Sequence, residues 1–167
     1  MSGDWIFKMT LMRKIVFSLG LLFILSVFSF DTMAACVMSD RANLRSGPGP
    51  RHSINWTVGK YTPLIVHNRR GNWAEVEDMD GERHWIYRPN LNERETCLSI
   101  SGVIANLRTA PSGSAPLGNI RRVDRYTPFL MLDRQGAWFK VRGAWGDEYW
   151  VHESLVWRPL RVVRINY

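Results

Sequence analysis

Residues 42–50 read ANLRSGPGP and residues 105–113 read ANLRTAPSG. The same Asn-Leu-Arg triplet runs into a Gly, Pro and Ser turn twice within one chain of 167 residues. Working outward, KYTPLIVHNRRGNWAEV (60–76) lies over RYTPFLMLDRQGAWFKV (125–141), and HWIY (84–87) over YWVH (149–152). The offset is 63 residues at Asn43 and Asn106 and 65 from Tyr61 and Tyr126 onward, so the second copy holds two extra residues in one loop. A period this long indicates tandem domains, because a solenoid repeats a shorter unit many times.

Each copy alternates short runs rich in Val, Ile, Tyr, Phe and Trp with Gly, Pro, Asn and Asp. Such punctuation predicts several short antiparallel strands, hence an all-β chain of two small barrels or sandwiches. No long helical periodicity follows residue 35. About 60 residues per copy bury only a modest core, which makes a covalent staple valuable.

Before the repeat, residues 15–30 (IVFSLGLLFILSVFSF) form an apolar run, preceded by Arg13 and Lys14 and followed by Ala34 and Ala35. Basic, apolar and small-residue zones in that order are the layout of a secretory signal peptide. The run is shorter than the roughly 20 apolar residues of a bilayer span, so a cleaved leader is expected rather than a stable membrane anchor. Met9 and Met12 stand just upstream of the basic pair and are alternative starts to Met1. The expected division is a leader at 1–35, one domain at 36–96, a second at 97–159 and a basic tail at 160–167. The expected location is periplasmic or secreted.

Export to an oxidising compartment makes the only two cysteines, Cys36 and Cys97, candidates for a disulfide. They precede their Asn-Leu-Arg turns by seven and nine residues, at matching places in the repeat. Lipidation of Cys36 is the competing reading, since MAAC (33–36) ends in Ala-Cys, although Met33 and the interposed FDT depart from a lipoprotein signal.

Residues 36–96 carry nine Lys and Arg against eight Asp and Glu, a net +1, whereas residues 97–167 carry ten against five, a net +5. An acidic partner suits this balance, and for an exported protein the acidic partners are wall polymers and lipid headgroups rather than nucleic acid.

The ordered pattern of Asn-Leu-Arg and a Pro/Gly turn, then Tyr-Thr-Pro, then Gly-x-Trp-x-x-Val, then a turn and Trp-Ile or Trp-Val resembles the bacterial SH3 domain in both copies. The resemblance implies SH3-like barrels of about five strands, each with a shallow groove. It also implies a non-catalytic role, since such domains accompany wall hydrolases as targeting modules, with peptidoglycan as the partner. A peptide of another envelope protein is the alternative partner.

Strand parity selects the candidate ligand-binding residues. In NWAEVE, Trp73 falls opposite Ala74 and Val76, and Trp138 falls opposite Phe139 and Val141 in the second copy. Trp85 and Tyr87 lie opposite Ile86, and Trp150 and His152 take the matching places. Arg45 and Arg108 offer planar forks either to a neighbouring aromatic ring or to a carboxylate. Arg121, Arg122 and Arg125, placed near Trp145, Tyr149 and Trp150, suggest a second-copy site for a polymer of sugars and carboxylates. His52, His67, His84 and His152 show no metal-binding spacing, and no nucleophile elbow or phosphate loop is present, so no catalytic residue, metal or cofactor is assigned.

Overall fold

The computed structural model describes residues 33–159. The first set of strands is β1 (Met33–Val37), β2 (Arg41–Arg45), β3 (Ile54–Gly59), β4 (Pro63–Arg70), β5 (Trp73–Glu77), β6 (Arg83–Tyr87) and β7 (Leu91–Asn92). The second is β8 (Cys97–Ile100), β9 (Ile104–Arg108), β10 (Leu117–Asp124), β11 (Pro128–Gln135), β12 (Trp138–Arg142), β13 (Glu148–His152) and β14 (Val156–Trp157). Short 3-10 turns at Arg88–Asn90 and Glu153–Leu155 precede β7 and β14.

The two sheets have one topology. Their orders are β3-β2-β6-β5-β4-β1-β7 and β10-β9-β13-β12-β11-β8-β14, so each strand of the second has its counterpart seven places earlier. Seven strands replace the expected five or so because the segment before each repeat turn pairs with β4 or β11, and a two-residue strand pairs with it from the other side. The chain is all-β, two SH3-like barrels in succession. Among the described residues no helix is long and apolar enough to cross a membrane.

The Tyr-Thr-Pro motif is a turn written identically in both barrels. Tyr61 and Tyr126 sit at φ 69° and 70°, a left-handed conformation uncommon for a residue with a side chain. Their amides donate to the carbonyls of Val37 and Ile100, and the hydroxyls of Thr62 and Thr127 donate to the carbonyls of Gly59 and Asp124. Pro63 and Pro128 then open β4 and β11. Gly71 and Gly136, at φ 57° and 56°, make the following hairpin, where a side chain would be strained.

Each barrel encloses its own core. The first is built from Ala35, Val37, Ala42, Leu44, Leu64, Val66, Ala74, Val76 and Ile86. The second comprises Leu98, Ile100, Ala105, Leu107, Val123, Phe129, Phe139, Val141, Tyr149 and Val151. A third cluster joins them around Cys36 and Cys97, which form a buried disulfide with a Cα separation of 5.6 Å, packed with Tyr61 and Leu130. The bridge occupies the Cys36 sulfur that a lipid anchor would need. Closing a loop of this length stabilises the fold by about 2–4 kcal/mol.

The boundary of the expected leader at residue 35 falls inside β1, where Ala35 is buried and pairs with Leu64. The rest of that leader, residues 1–32, and the basic tail at 160–167 lie outside the described residues.

Candidate functional site

The outer face of the β5–β6 hairpin collects three of the first-barrel candidates. In register, Trp73 faces Tyr87, Glu75 faces Trp85 and Glu77 faces Arg83, all turned away from the core, while Ala74, Ile86, Val76 and His84 point inward. The Trp73 and Tyr87 ring centroids are 5.8 Å apart, tilted by 59°. On the far side, Arg45 of β2 pairs with Trp85, so a guanidinium stem lies beside the indole in a cross-strand position. Tyr87 is exposed, and Trp73 and Trp85 are half-buried.

The second barrel repeats the geometry with other chemistry. Trp138 faces His152 with centroids 5.1 Å apart, Lys140 faces Trp150, Arg142 faces Glu148, and Arg108 pairs with Trp150. Trp150 is only 9% exposed, so this face shows less indole to solvent than its counterpart. Charge is inverted position by position: Glu75, Glu77 and Arg83 stand where Lys140, Arg142 and Glu148 stand. Glu148 accepts from Lys140 at 2.8 Å and Arg142 at 2.6 Å, and these two bonds hold its carboxyl below the ordinary carboxylate range. Arg83 is more loosely placed, 4.0 Å from Glu75 and 3.9 Å from Glu77, and the latter also holds His67 at 2.8 Å.

Tyr149 has to be removed from the ligand-binding set. Adjacent strand residues point to opposite faces, so a Trp150 on the outer face requires a Tyr149 on the inner one. Tyr149 is 4% exposed, belongs to the core, and its hydroxyl accepts from the Ile120 amide at 3.4 Å. Trp145, 45% exposed, sits in the β12–β13 turn with its edge against Phe129, apart from the Trp138–Trp150 face. The proposed grouping of Trp145, Tyr149 and Trp150 around an arginine cluster is therefore split three ways. Arg121 and Arg122 lie on β10, at an irregularity in its pairing with β9. Arg125 instead donates to the Ser101 carbonyl at 2.7 Å and to Asp80 of the first barrel at 3.0 Å.

Arg45 and Arg108 have a role that neither sequence alternative named. Arg45 donates from Nη1 to the carbonyls of Pro50 at 3.1 Å and His52 at 2.7 Å, and Arg108 donates to that of Ala115 at 2.6 Å. Each arginine pins the loop that follows its own Asn-Leu-Arg turn. The motif is thereby explained as architecture: Leu44 and Leu107 enter the core, and the Arg ties down the turn.

Three features lie outside the candidate ligand-binding set. Trp56 is 58% exposed on the edge strand β3, beside Ile54 at 51%. Parity places Trp56 opposite core residue Leu44, and only its position on an edge leaves it open. The β5–β6 turn also gathers Asp78, Glu82 and His84, whose ligand atoms lie within 4.8 Å of one another. A cleft lined by Met33, Asn72, Arg88, Leu91 and Arg94 opens by β7, and none of the aromatic candidates lines it.

Residues 38–93 match the family model of the bacterial SH3 domain. The first barrel is therefore similar to the bacterial SH3 domain. No curated protein matches the chain. Among solved structures, NlpC1 from Trichomonas vaginalis is 15% identical, with 78% of this chain and 47% of that one covered at a TM-score of 0.35. An NlpC/P60 family protein from Bacillus cereus is 13% identical, covering 75% of this chain and 56% of that one at 0.35. The endolysin LysPBC5 CBD is 17% identical, covering 80% and 98% at 0.31. The chain spans about half the length of the first two. The likeness to the SH3 domain rests on the family match and the strand pattern.

Proposed function

We propose that the protein is a non-catalytic binding module of the bacterial cell envelope that holds peptidoglycan or a wall-associated ligand on the outer hairpin faces of its SH3 barrels. The observation that carries this reading is the row of aromatic side chains on the outer hairpin face of the first barrel, Trp73, Trp85 and Tyr87, with Trp138 at the matching place in the second. Sugar rings stack on aromatic faces, so such a row suits a glycan polymer. The family match of the first barrel and the exported character expected from the leader support the same assignment.

Charge and accessible aromatic area favour different barrels. The second half carries the greater positive charge, whereas the first barrel presents Tyr87 and Trp85 more openly than the second presents His152 and Trp150. Co-sedimentation with purified wall sacculi separates these contributions. Trp85→Ala is expected to weaken binding about tenfold with little effect of salt, as loss of a stacking contact of roughly 1–1.5 kcal/mol would. Raising the salt is expected to weaken what remains, because exposed charges are screened beyond about 8 Å at physiological ionic strength. Unchanged sedimentation of both Trp85→Ala and Trp150→Ala overturns the assignment of these faces.

A second reading has its own observation. The edge strand β3 presents unpaired backbone together with Trp56 and Ile54, an arrangement that accepts an extended peptide as an added strand. On that reading the protein is an adaptor for another envelope protein. Trp56→Ala then lowers capture of that partner while leaving sacculus binding intact.

A further inference from the structure

We propose that the β5–β6 turn of the first barrel is a divalent metal site of the zinc class, with Asp78, Glu82 and His84 as its protein ligands. His84 is 3% exposed, and its Nε2 lies 3.3 Å from Asp78 Oδ2 and 3.7 Å from Glu82 Oε2. Ligand atoms about 2.0–2.1 Å from a tetrahedral Zn2+ stand about 3.3–3.4 Å from one another, close to the two spacings measured from His84 Nε2, and all three ligand atoms lie within 4.8 Å of one another. One imidazole with two carboxylates is a donor set that zinc accepts, and three protein ligands leave a fourth position for water. Glu82, 61% exposed, forms the open side through which the ion and that water reach the site.

The side chains are already sorted for this task. Asp78 uses Oδ1 to accept the amides of Asp80 and Glu82 at 2.9 and 3.0 Å, which fixes the carboxylate and leaves Oδ2 directed at His84. Behind the ring, the Asn55 side-chain amide is 3.2 Å from Nδ1. That contact holds the ring with Nε2 facing the two carboxylates. With a metal on Nε2, Nδ1–H would donate to the Asn55 amide oxygen, the outer-shell bond that metal-bound histidines generally make.

The second barrel is an internal control showing that the fold does not require these residues. Its corresponding turn makes the same backbone bonds, Gly143 N to Asp147 O and Gly146 N to Gly143 O, as Asp78 N to Glu82 O and Gly81 N to Asp78 O in the first. Yet the positions of Asp78, Glu82 and His84 are held there by Gly143, Asp147 and Tyr149. A buried tyrosine fills the slot that in the first barrel holds a buried imidazole aimed at two carboxylates.

The test is calorimetric titration of the full chain with ZnCl2 at neutral pH, with Co2+ as a spectroscopic probe of coordination. One Zn2+ per chain is expected, with tetrahedral Co2+ absorption. Binding should be weakened at least tenfold in both Glu82→Gln and Asp78→Asn, and retained in His52→Gln, His67→Gln and His152→Gln. Glu82 is exposed, so its variant is expected to keep the wild-type circular dichroism spectrum, which separates loss of the site from loss of the fold. Absence of stoichiometric binding, or binding that survives in either carboxylate variant, overturns the proposal. Sacculus co-sedimentation is not involved, so the wall-binding reading stands or falls separately.

Discussion

The two barrels share a strand order and a turn chemistry but fill them with different materials. Where the first buries Leu64, Ala74 and His84, the second buries Phe129, Phe139 and Tyr149. On the outer face the signs of charge are exchanged at three successive positions. Backbone architecture is thus set by a small group of residues common to both copies: the Leu and Arg of the Asn-Leu-Arg turn, the left-handed Tyr, the Pro that follows it and the hairpin Gly. Several positions between those points differ in size or charge. The second barrel encloses the larger aromatic side chains, and the first holds a buried histidine in its wall.

The largest expected effect tests that difference in packing. Phe139 is 4% exposed, and the guanidinium carbons of Arg134 and Arg158 each lie 5.4 Å from its ring centroid. Its counterpart Ala74 is a position where the first barrel manages without the ring. Phe139→Ala is expected to cost about 3–5 kcal/mol, because a large buried side chain leaves a cavity the neighbours fill only in part. Hydrogen exchange resolved by residue is the measurement. Wild-type amides of β11 to β13 should outlast those of β4 to β6, and the variant should reverse the order. A cost under about 1 kcal/mol would mean that the aromatic core is not what distinguishes the barrels.

A smaller effect sharpens the comparison at a single slot. Gly118 of β10 lies so close to the Tyr149 ring that an added Cβ would collide with its edge carbons. The ring is confined by the core and cannot withdraw, so Gly118→Ala is expected to destabilise the second barrel by about 1–3 kcal/mol, as overpacking does. Tyr149→Phe combined with Gly118→Ala should recover none of it, since the clash involves ring carbons and not the hydroxyl. Chemical denaturation of the three variants gives the values, and an Ala variant as stable as the parent would show that β10 shifts freely at its irregular register.

Much of this was legible in the sequence because it rests on local rules. Duplication fixed the number of barrels, and parity placed Trp73 and Trp138 opposite Val76 and Val141. The expectation of export, together with two matched cysteines, pointed to the bridge. What stayed hidden depended on distances across the fold. The carbonyls that receive Arg45 and Arg108 are backbone groups of a folded-back loop, which no side-chain pattern encodes. Asp78, Glu82 and His84 straddle a turn, so they converge only once β5 and β6 pair. Tyr149 was within reach: the parity that put Trp150 outside had to put its neighbour inside.

The smallest expected effect concerns the inverted charges. Glu148, bonded by Lys140 and Arg142, has its carboxyl held below the ordinary value of 4.5, whereas Arg83 at the matching place sits farther from its carboxylates. A depressed folded-state value means that the charged form is favoured by folding. The contribution is therefore complete above the unfolded value and disappears as pH falls through the folded one, a window lying below pH 4.5. The group is exposed, so salt screening keeps the contribution small. Glu148→Gln should lower the urea midpoint slightly at neutral pH in low salt, and the gap to wild type should close as the solution is acidified below pH 4.5. Arg83→Gln in the first barrel should show a smaller gap. Equal gaps for the two variants, or one for Glu148→Gln that persists in acid, would mean that exchanging the charges left the two faces electrostatically equivalent.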